Sequence, residues 1–182
     1  APFEHGLELR ATLSAGDWSD LQRGLPSGAL IVGLTSIHWR ESWKYGERAF
    51  RYCHHDVGHA IAAVALSAAA LGWQTCLLEG WTDRELAVLL GVSGQQGAEA
   101  EHPDCLLALT PTNEEFPLEQ CRAHRPGDDL LARLSDLPLS GEPNQSLLVD
   151  VVPAGISDRS VADPGTHETF RLLLRQSRRE GQ

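Results

Sequence analysis

Residues 39–59, WRESWKYGERAFRYCHHDVGH, form a dense run of side chains that can do chemistry. A lysine and a tyrosine stand side by side at Lys44 and Tyr45, and Gly46 follows at once. Amines and phenols can both take part in proton transfer, because burial or a neighbouring charge shifts their protonation equilibria. A lysine acts as a base only after losing its proton, which desolvation favours. The pair therefore indicates acid–base chemistry, and the alternative is a surface lysine beside a half-buried tyrosine without a catalytic role.

The elements that follow this run give it a context. It continues without a break into IAAVALSAAALGWQTCLLEGW, residues 61–81. A polar turn, a small-residue helix ending in AALG, a short strand and then Glu-Gly is an order that resembles the nitroreductase superfamily over about residues 28–110. The segment WKYGERAFRY followed by D-x-G-H is most similar to the SagB-type dehydrogenases, which use FMN to oxidise azolines in ribosomal peptides.

The resemblance implies roles for two pairs of residues. In SagB-type enzymes the matching Lys–Tyr pair is catalytic. Lys44 and Tyr45 are thus expected to remove a ring proton from the azoline, and to hold the substrate nitrogen or relay the proton, while hydride passes to the flavin. The Glu79–Gly80 turn is expected beside the isoalloxazine ring, where a backbone N–H can bond flavin N5 and glycine permits close approach. The alternative for that turn is an ordinary connection from strand to helix.

A phosphate-binding motif occurs at an unexpected position. RQSRR, residues 175–179, resembles the RRSxR-like motif that binds the FMN phosphate in this superfamily, but there it lies in the opening helix of the domain. The resemblance assigns phosphate binding to Arg175, Ser177 and Arg179, since arginines and a hydroxyl are suitable donors to a phosphate. A tandem protein, in which this helix opens a second repeat, would explain the position. The alternative is a solvated basic helix.

Other polar residues leave alternatives open. Arg48 and Arg51 could meet a phosphate or a substrate carboxylate, or could pair with Glu41, Glu47 or Asp56. Ser36 and His38 follow an apolar strand and could line a pocket. The set of candidate zinc ligands is the cluster His54, His55 and His59, of which the last two have the i, i+4 spacing of helical ligands. No third ligand at a fixed spacing supports zinc, so the prediction is that no metal is bound.

Composition limits the class of protein. A length of 182 residues with 42% hydrophobic residues is enough for an ordinary globular core. The net charge of −10 argues against nucleic acid or an anionic membrane as the main partner. The four cysteines form no C-x-x-C pair, and those at 76 and 105 lie in apolar runs, which is typical of reduced, cytoplasmic proteins. No signal peptide or membrane-spanning run is recognisable.

The pattern along the chain predicts an α+β fold: a nitroreductase-like mixed sheet flanked by helices, with a long Ala-rich helix, 50–71, at the centre. Its small residues, Gly58 among them, suggest close packing in a core or a dimer interface. Strands are predicted at 29–37, 74–78 and 105–109, and helices at 17–25, 82–90, 129–134 and 166–175.

Three regions follow from this pattern. Residues 1–110 are predicted to form a core that is incomplete at its N-terminal end, residues 111–160 an irregular arm or linker, and residues 161–182 the C-terminal helix. The absence of Met at position 1 agrees with a piece of a longer chain. The resemblance implies a homodimer with FMN in a shared cleft, a peptide or small-molecule substrate, and partner enzymes of a peptide-modifying complex. The alternative is a degenerate repeat that acts as a scaffold.

Overall fold

The computed structural model describes residues 11–111 and 117–139, together with the backbone of a strand at 169–173. The helices are α1 (Ala15–Gln22), α2 (His38–Tyr45), α3 (Ala49–Ala70), α4 (Asp83–Leu89), α5 (Leu118–Arg122) and α6 (Asp128–Ser135), with a 3₁₀ turn at Gly46–Arg48. The strands are β1 (Leu30–Ser36), β2 (Trp73–Leu77), β3 (His102–Pro111) and β4 (Thr169–Leu173). The α+β class is confirmed.

The four strands form one sheet in the order β2-β3-β1-β4. Each of the pairings in the described part of the chain is antiparallel, so this sheet is antiparallel where a mixed one was expected. Because β1 and β2 both pair with β3 in the antiparallel sense, they run in the same direction. β1 ends where Ser36 pairs with His102, and β2 runs toward the same end of the sheet but stops earlier, at Leu77 opposite Leu107.

Two apolar clusters cover the two faces of the sheet. One joins α1, α4, α5 and α6 to the sheet through residues such as Leu21, Ile31 and Leu106, each with none of its surface exposed. The other joins α3 to β1 and β3 through Val32, Leu34 and their neighbours. β1 is buried along six of its seven residues, as expected of a branched apolar run between two layers.

The long helix lies on the sheet but leaves much of itself exposed. Only Ala49, Cys53, Ala60 and Ala68 of its 22 residues are buried. A Cβ built on Gly58 would meet nothing within 4 Å. The prediction of close packing at Gly58 is therefore wrong for contacts within the described chain. A small residue at a helical position signals close approach only if another element lies over it.

Residues 117–139 are more regular than the irregular arm that was predicted, and the helix predicted at 129–134 is confirmed as α6. They form α5 and α6, and Cys121, Leu130 and Leu134 are buried in the first cluster. Arg133 fastens α6 to α1, since its Nε donates to Asp17 at 2.6 Å. Prolines and charged residues interrupt the apolar pattern here, so the packing is visible only in three dimensions.

The predicted helix over 166–175 is also wrong where the structure describes it. Thr169–Leu173 is a strand, β4, whose partner is β1, with Thr169 opposite Thr35 and Leu173 opposite Ile31. The edge of β1 that does not pair with β3 forms backbone hydrogen bonds with β4, in place of those that a helix would form within itself. Tertiary pairing of this kind commonly overrides local propensity. β4 therefore runs away from the end toward which β1 and β2 run.

The connection from β2 to α4 was predicted more closely. Thr82 caps α4, and Glu85 completes a capping box by accepting from the Thr82 backbone N–H at 2.8 Å. Arg125 adds a hydrogen bond of 2.8 Å to the same buried carboxylate. Hydrogen bonding to the Thr82 backbone, with Arg125 nearby, lowers the pKa of Glu85. The hydrogen bonds that Glu85 accepts from Thr82 and Arg125 therefore hold the start of α4 in place.

The four cysteines differ in burial. Cys53, Cys76 and Cys121 are buried, whereas Cys105 is half-buried, and all four are free thiols. Burial raises the pKa of Cys105 to about 12, which makes it a poor nucleophile near neutral pH.

Within the described ranges, no helix combines the length and the apolar character needed to cross a bilayer.

Candidate functional site

The Lys–Tyr pair lies at the tip of a helical hairpin. α2 ends at Gly46, whose φ of 57° lies in the left-handed region that glycine tolerates best. The chain then reverses direction, as two ring contacts between α2 and α3 show. The ring centres of Tyr45 and Tyr52 lie 4.6 Å apart, and those of His38 and Phe50 lie 6.1 Å apart. A continuous helix would hold residues 38 and 50 about 18 Å apart. Gly46 therefore makes the turn that exposes Lys44 and Tyr45.

The side chains at this tip are unusual in the composition of the whole chain. Lys44 is the only lysine in the sequence, against fourteen arginines, and Tyr45 and Tyr52 are its only two tyrosines. The Lys44 ammonium lies 5.2 Å from the centre of the Tyr45 ring. Lys44 is exposed and Tyr45 is half-buried. The proton-transfer groups are thus concentrated at one place, but solvent still reaches the amine.

The Glu79–Gly80 turn is occupied by the protein's own backbone. The N–H groups of Glu79 and Gly80 both donate to the carbonyl of Arg122, at 2.8 and 3.1 Å. A Cβ on Gly80 would lie 2.7 Å from the carbonyl oxygen of His124 and 2.9 Å from that of Ala123. Glycine is needed here so that this segment can approach.

In this conformation the turn offers no free N–H to a flavin N5. For the N–H of Glu79 or Gly80 to bond flavin N5, its hydrogen bond to the Arg122 carbonyl would first have to break. The residues of the turn therefore do not fit that role as they stand, and their placement beside a flavin stays a prediction.

The topology nevertheless relates the two predicted segments. β1 continues through Ile37 into α2, and β2 continues into Glu79–Gly80. Both strands run toward the end of the sheet where β3 begins; β1 reaches it at Ser36, opposite His102, and β2 stops earlier, at Leu77 opposite Leu107. The hairpin and the turn therefore follow strands that point the same way, although the sequence separates Tyr45 from Glu79 by a long helix and a strand.

A cluster of polar side chains lies behind α2 at this same end. The rings of His38 and His102 stack at 4.6 Å with an interplanar angle of 7°. Ser36 donates to Asp104 at 2.7 Å. Burial, followed by His102 and His54, lowers the pKa of His38, whereas burial raises the pKa of Asp104. The stack of His38 on His102 and the hydrogen bond from Ser36 to Asp104 therefore hold the start of α2 against the start of β3.

Ser36 and His38, which could line a pocket by their position after β1, contact partners that the sequence analysis did not foresee. His102 and Asp104 come from the start of β3, more than sixty residues along the chain. The signal was present as His-Pro-Asp before a buried strand. Only the antiparallel register, which places Ser36 opposite His102, turns that signal into a contact.

The zinc alternative finds no support in the part of the chain that the structure describes. No three residues of the His, Cys, Asp and Glu types there come together as metal ligands. His59 instead has Asp56 as its neighbour, with Nδ1 3.5 Å from Oδ1, and both side chains are largely exposed. The remaining predicted site residues, Arg175, Ser177 and Arg179, lie outside the described residues.

Comparison with known proteins identifies the fold family. Residues 14–109 match the nitroreductase family, which is more than half of the chain and includes the hairpin, α3, β2 and the Glu79–Gly80 turn. Among curated proteins, one from Methanocaldococcus jannaschii, named as a candidate nitroreductase, is 32% identical over 63 residues. That stretch covers 35% of this chain and 32% of the relative.

No solved structure matches the chain at a significant level. The family match extends across the described sheet as far as Leu109 in β3 and includes the Lys–Tyr tip. The chain therefore belongs to the nitroreductase family, a family of oxidoreductases.

Proposed function

We propose that this chain is an FMN-dependent dehydrogenase that oxidises thiazolines or oxazolines in peptides to the aromatic azoles. The observation that carries the proposal is the tip of the α2–α3 hairpin, where the chain's only lysine and both its tyrosines lie together. Membership of the nitroreductase family supports the redox chemistry. The likeness of WKYGERAFRY to SagB-type enzymes supports the substrate class.

Converting an azoline to an azole removes one hydride and one proton from the ring. The Lys44 amine accepts the proton, and the Tyr45 hydroxyl donates a hydrogen bond to the ring nitrogen. FMN, when bound, supplies the hydride acceptor. No step is assigned to the Glu79 or Gly80 N–H groups, since both already bond Arg122.

The exposure of Lys44 sets a condition on this chemistry. An amine in water is mostly protonated at neutral pH, and a base must be neutral to accept a proton. Binding of substrate and cofactor over the tip, or the approach of a second subunit, would remove water from the amine and favour its neutral form. Proton transfer is therefore coupled to closure of the site.

A homodimer is the second part of the proposal. Leu66 on α3 and Leu71, which follows the last residue of α3, have 73% and 74% of their surface accessible, near exposed alanines. Exposed large apolar side chains near one another mark candidate interfaces. Cofactor phosphate binding by Arg175, Ser177 and Arg179 remains part of the proposal, because arginine and serine donors suit a phosphate.

The first experiment measures turnover of a thiazoline-containing peptide together with flavin content. Lys44→Ala and Tyr45→Phe should each lower the rate by about 10²–10⁴-fold, as expected for loss of a general acid or base. Tyr52→Phe is the matched control and should keep the rate. Flavin absorbance should be the same in all four proteins. Full turnover in both variants would contradict the catalytic assignment, and protein that binds no flavin would favour the scaffold.

The single lysine allows a second readout. Reductive methylation with ¹³C labels only Lys44 and the N-terminal amine, so its titration can be followed by NMR in the intact protein. We expect the Lys44 signal to titrate at lower pH when a substrate analogue is bound. A titration that does not change would show that the amine stays in water and cannot be the base.

A further inference from the structure

The turn between α2 and α3 carries a second feature, a surface formed by Tyr45, Arg48, Arg51 and Tyr52, called here the basic–aromatic patch. Tyr52 has 37% of its surface exposed, and both arginines are exposed. The two tyrosine rings, 4.6 Å apart, join the end of α2 to the first turn of α3. Arginine and aromatic side chains are the types most enriched in the energetic centres of interfaces.

Neither arginine of the patch has a carboxylate partner among the described residues. Glu41, Glu47 and Asp56 were possible partners, but no ion pair joins any of them to Arg48 or Arg51. Most other described arginines do have a carboxylate oxygen within 4.0 Å: Arg23, Arg40, Arg122, Arg125 and Arg133. Two like charges three residues apart on a helix repel each other slightly. An acidic ligand would relieve that repulsion.

The charge of the patch selects its occupant. The chain as a whole has a net charge of −10, so a basic surface on it is an exception. A second copy related by a two-fold axis would present the same patch and bring guanidinium groups together, which is unfavourable. A carboxylate is instead bound well by a guanidinium, through two parallel hydrogen bonds.

We propose that the basic–aromatic patch binds an acidic peptide segment whose apolar side chains pack on Tyr52. Carboxylates of the segment pair with Arg48 and Arg51. Because Tyr45 belongs both to the patch and to the proposed catalytic pair, the bound segment lies next to the reaction site. The inference rests on the proposed function only in taking this peptide to be the substrate, since binding is measured without turnover.

The experiment is a titration of a fluorescein-labelled peptide of alternating aspartate and phenylalanine, followed by fluorescence anisotropy. The same peptide with lysine in place of aspartate, and one with serine in place of phenylalanine, are the ligand controls. We expect the aspartate–phenylalanine peptide to bind best, and to bind more weakly as salt is raised, because exposed charges are screened.

The matched variants are Arg48→Ala/Arg51→Ala and Arg84→Ala. Arg84 is exposed on α4, and it too has no ion pair among the described residues. The double variant should weaken binding by about five- to tenfold, as expected for two exposed charge pairs, and Arg84→Ala should leave it unchanged. Tyr52→Ala should weaken binding of the phenylalanine peptide but not of the serine peptide.

Three results would overturn the proposal. Equal affinity for the lysine peptide would show that charge does not select the ligand. A change in sedimentation coefficient of the double variant would identify the patch as a contact between copies. Loss of flavin absorbance in the double variant would assign the arginines to the cofactor phosphate. Intact peptide binding without azoline oxidation would instead refute the proposed reaction and leave the patch assignment standing.

Discussion

Replacing Gly58 by alanine tests how the long helix is packed. Gly58 lies near the middle of α3, and a Cβ there would meet nothing within 4 Å. Glycine inside a helix costs about 1 kcal/mol relative to alanine, because more backbone entropy is lost on folding. With no clash to offset this gain, Gly58→Ala should stabilise the protein by about 1 kcal/mol.

The magnitude is measurable by thermal and urea unfolding. For a chain of 182 residues, 1 kcal/mol corresponds to a rise in Tm of about 2–4 °C. Ala63→Gly is the matched reverse change at an exposed position of the same helix and should lower the Tm by a similar amount. A lower Tm for Gly58→Ala at low protein concentration would show that some element does pack against this position.

Leucine at the same position tests the proposed dimer. Gly58, Ala62 and Leu66 are spaced by four residues and therefore share one side of α3. Gly58→Leu should leave the stability of the monomer near that of the alanine variant, since its side chain enters open space. If a second copy covers this side, the larger side chain should weaken self-association in sedimentation experiments. Unchanged association would place the dimer contact elsewhere.

Two further changes test the site's surroundings. Gly80→Ala should destabilise the protein by about 2–4 kcal/mol. Its Cβ would lie under 3 Å from two backbone oxygens and would break the hydrogen bonds to the Arg122 carbonyl. In urea unfolding, a midpoint within error of wild type would contradict this close approach. Burial lowers the pKa of His124 below its ordinary value of 6.5. As pH falls, the imidazole therefore takes up a proton in the unfolded chain before it does so in the folded protein. The free energy of unfolding should fall below about pH 6.5, by at most about 1.4 kcal/mol per pH unit. His124→Gln should reduce that slope while keeping a donor for the Leu21 carbonyl, and an unchanged slope would assign the pH dependence to another group.

Local signals account for the elements that the sequence predicted well. β1 is a branched apolar run between turn residues, α3 is an Ala-rich run without proline that ends before Gly72, and α4 begins with a threonine and two acidic residues. Each of these depends on neighbours within a few positions. Such elements can be assigned without knowing the rest of the fold.

The errors concern contacts between distant parts of the chain. β4 is a strand because the edge of β1 is free to pair with it, and the sequence around Thr169 does not report that edge. The partners of Ser36 and His38 depend on the register between β1 and β3, which shifts by one residue at an irregularity between Leu34 and Thr35. A shift of this kind cannot be read from spacing, and it decides that Ser36 faces His102.

The position of Lys44 and Tyr45, the proposed catalytic pair, depends on both local and distant contacts. α2 has no buried side chain, so apolar packing does not hold it in place. It is held at its start by the stack of His38 on His102 and by the ion pair of Arg40 with Glu99, at 2.8 Å, and at its end by the turn at Gly46. Contacts of this type are weaker than a buried apolar face, which leaves Lys44 and Tyr45 on a support that a ligand can adjust. The proposed role of Lys44 as a base, which requires loss of water from the amine, agrees with such a support, because closing over a substrate would move the helix against few apolar contacts.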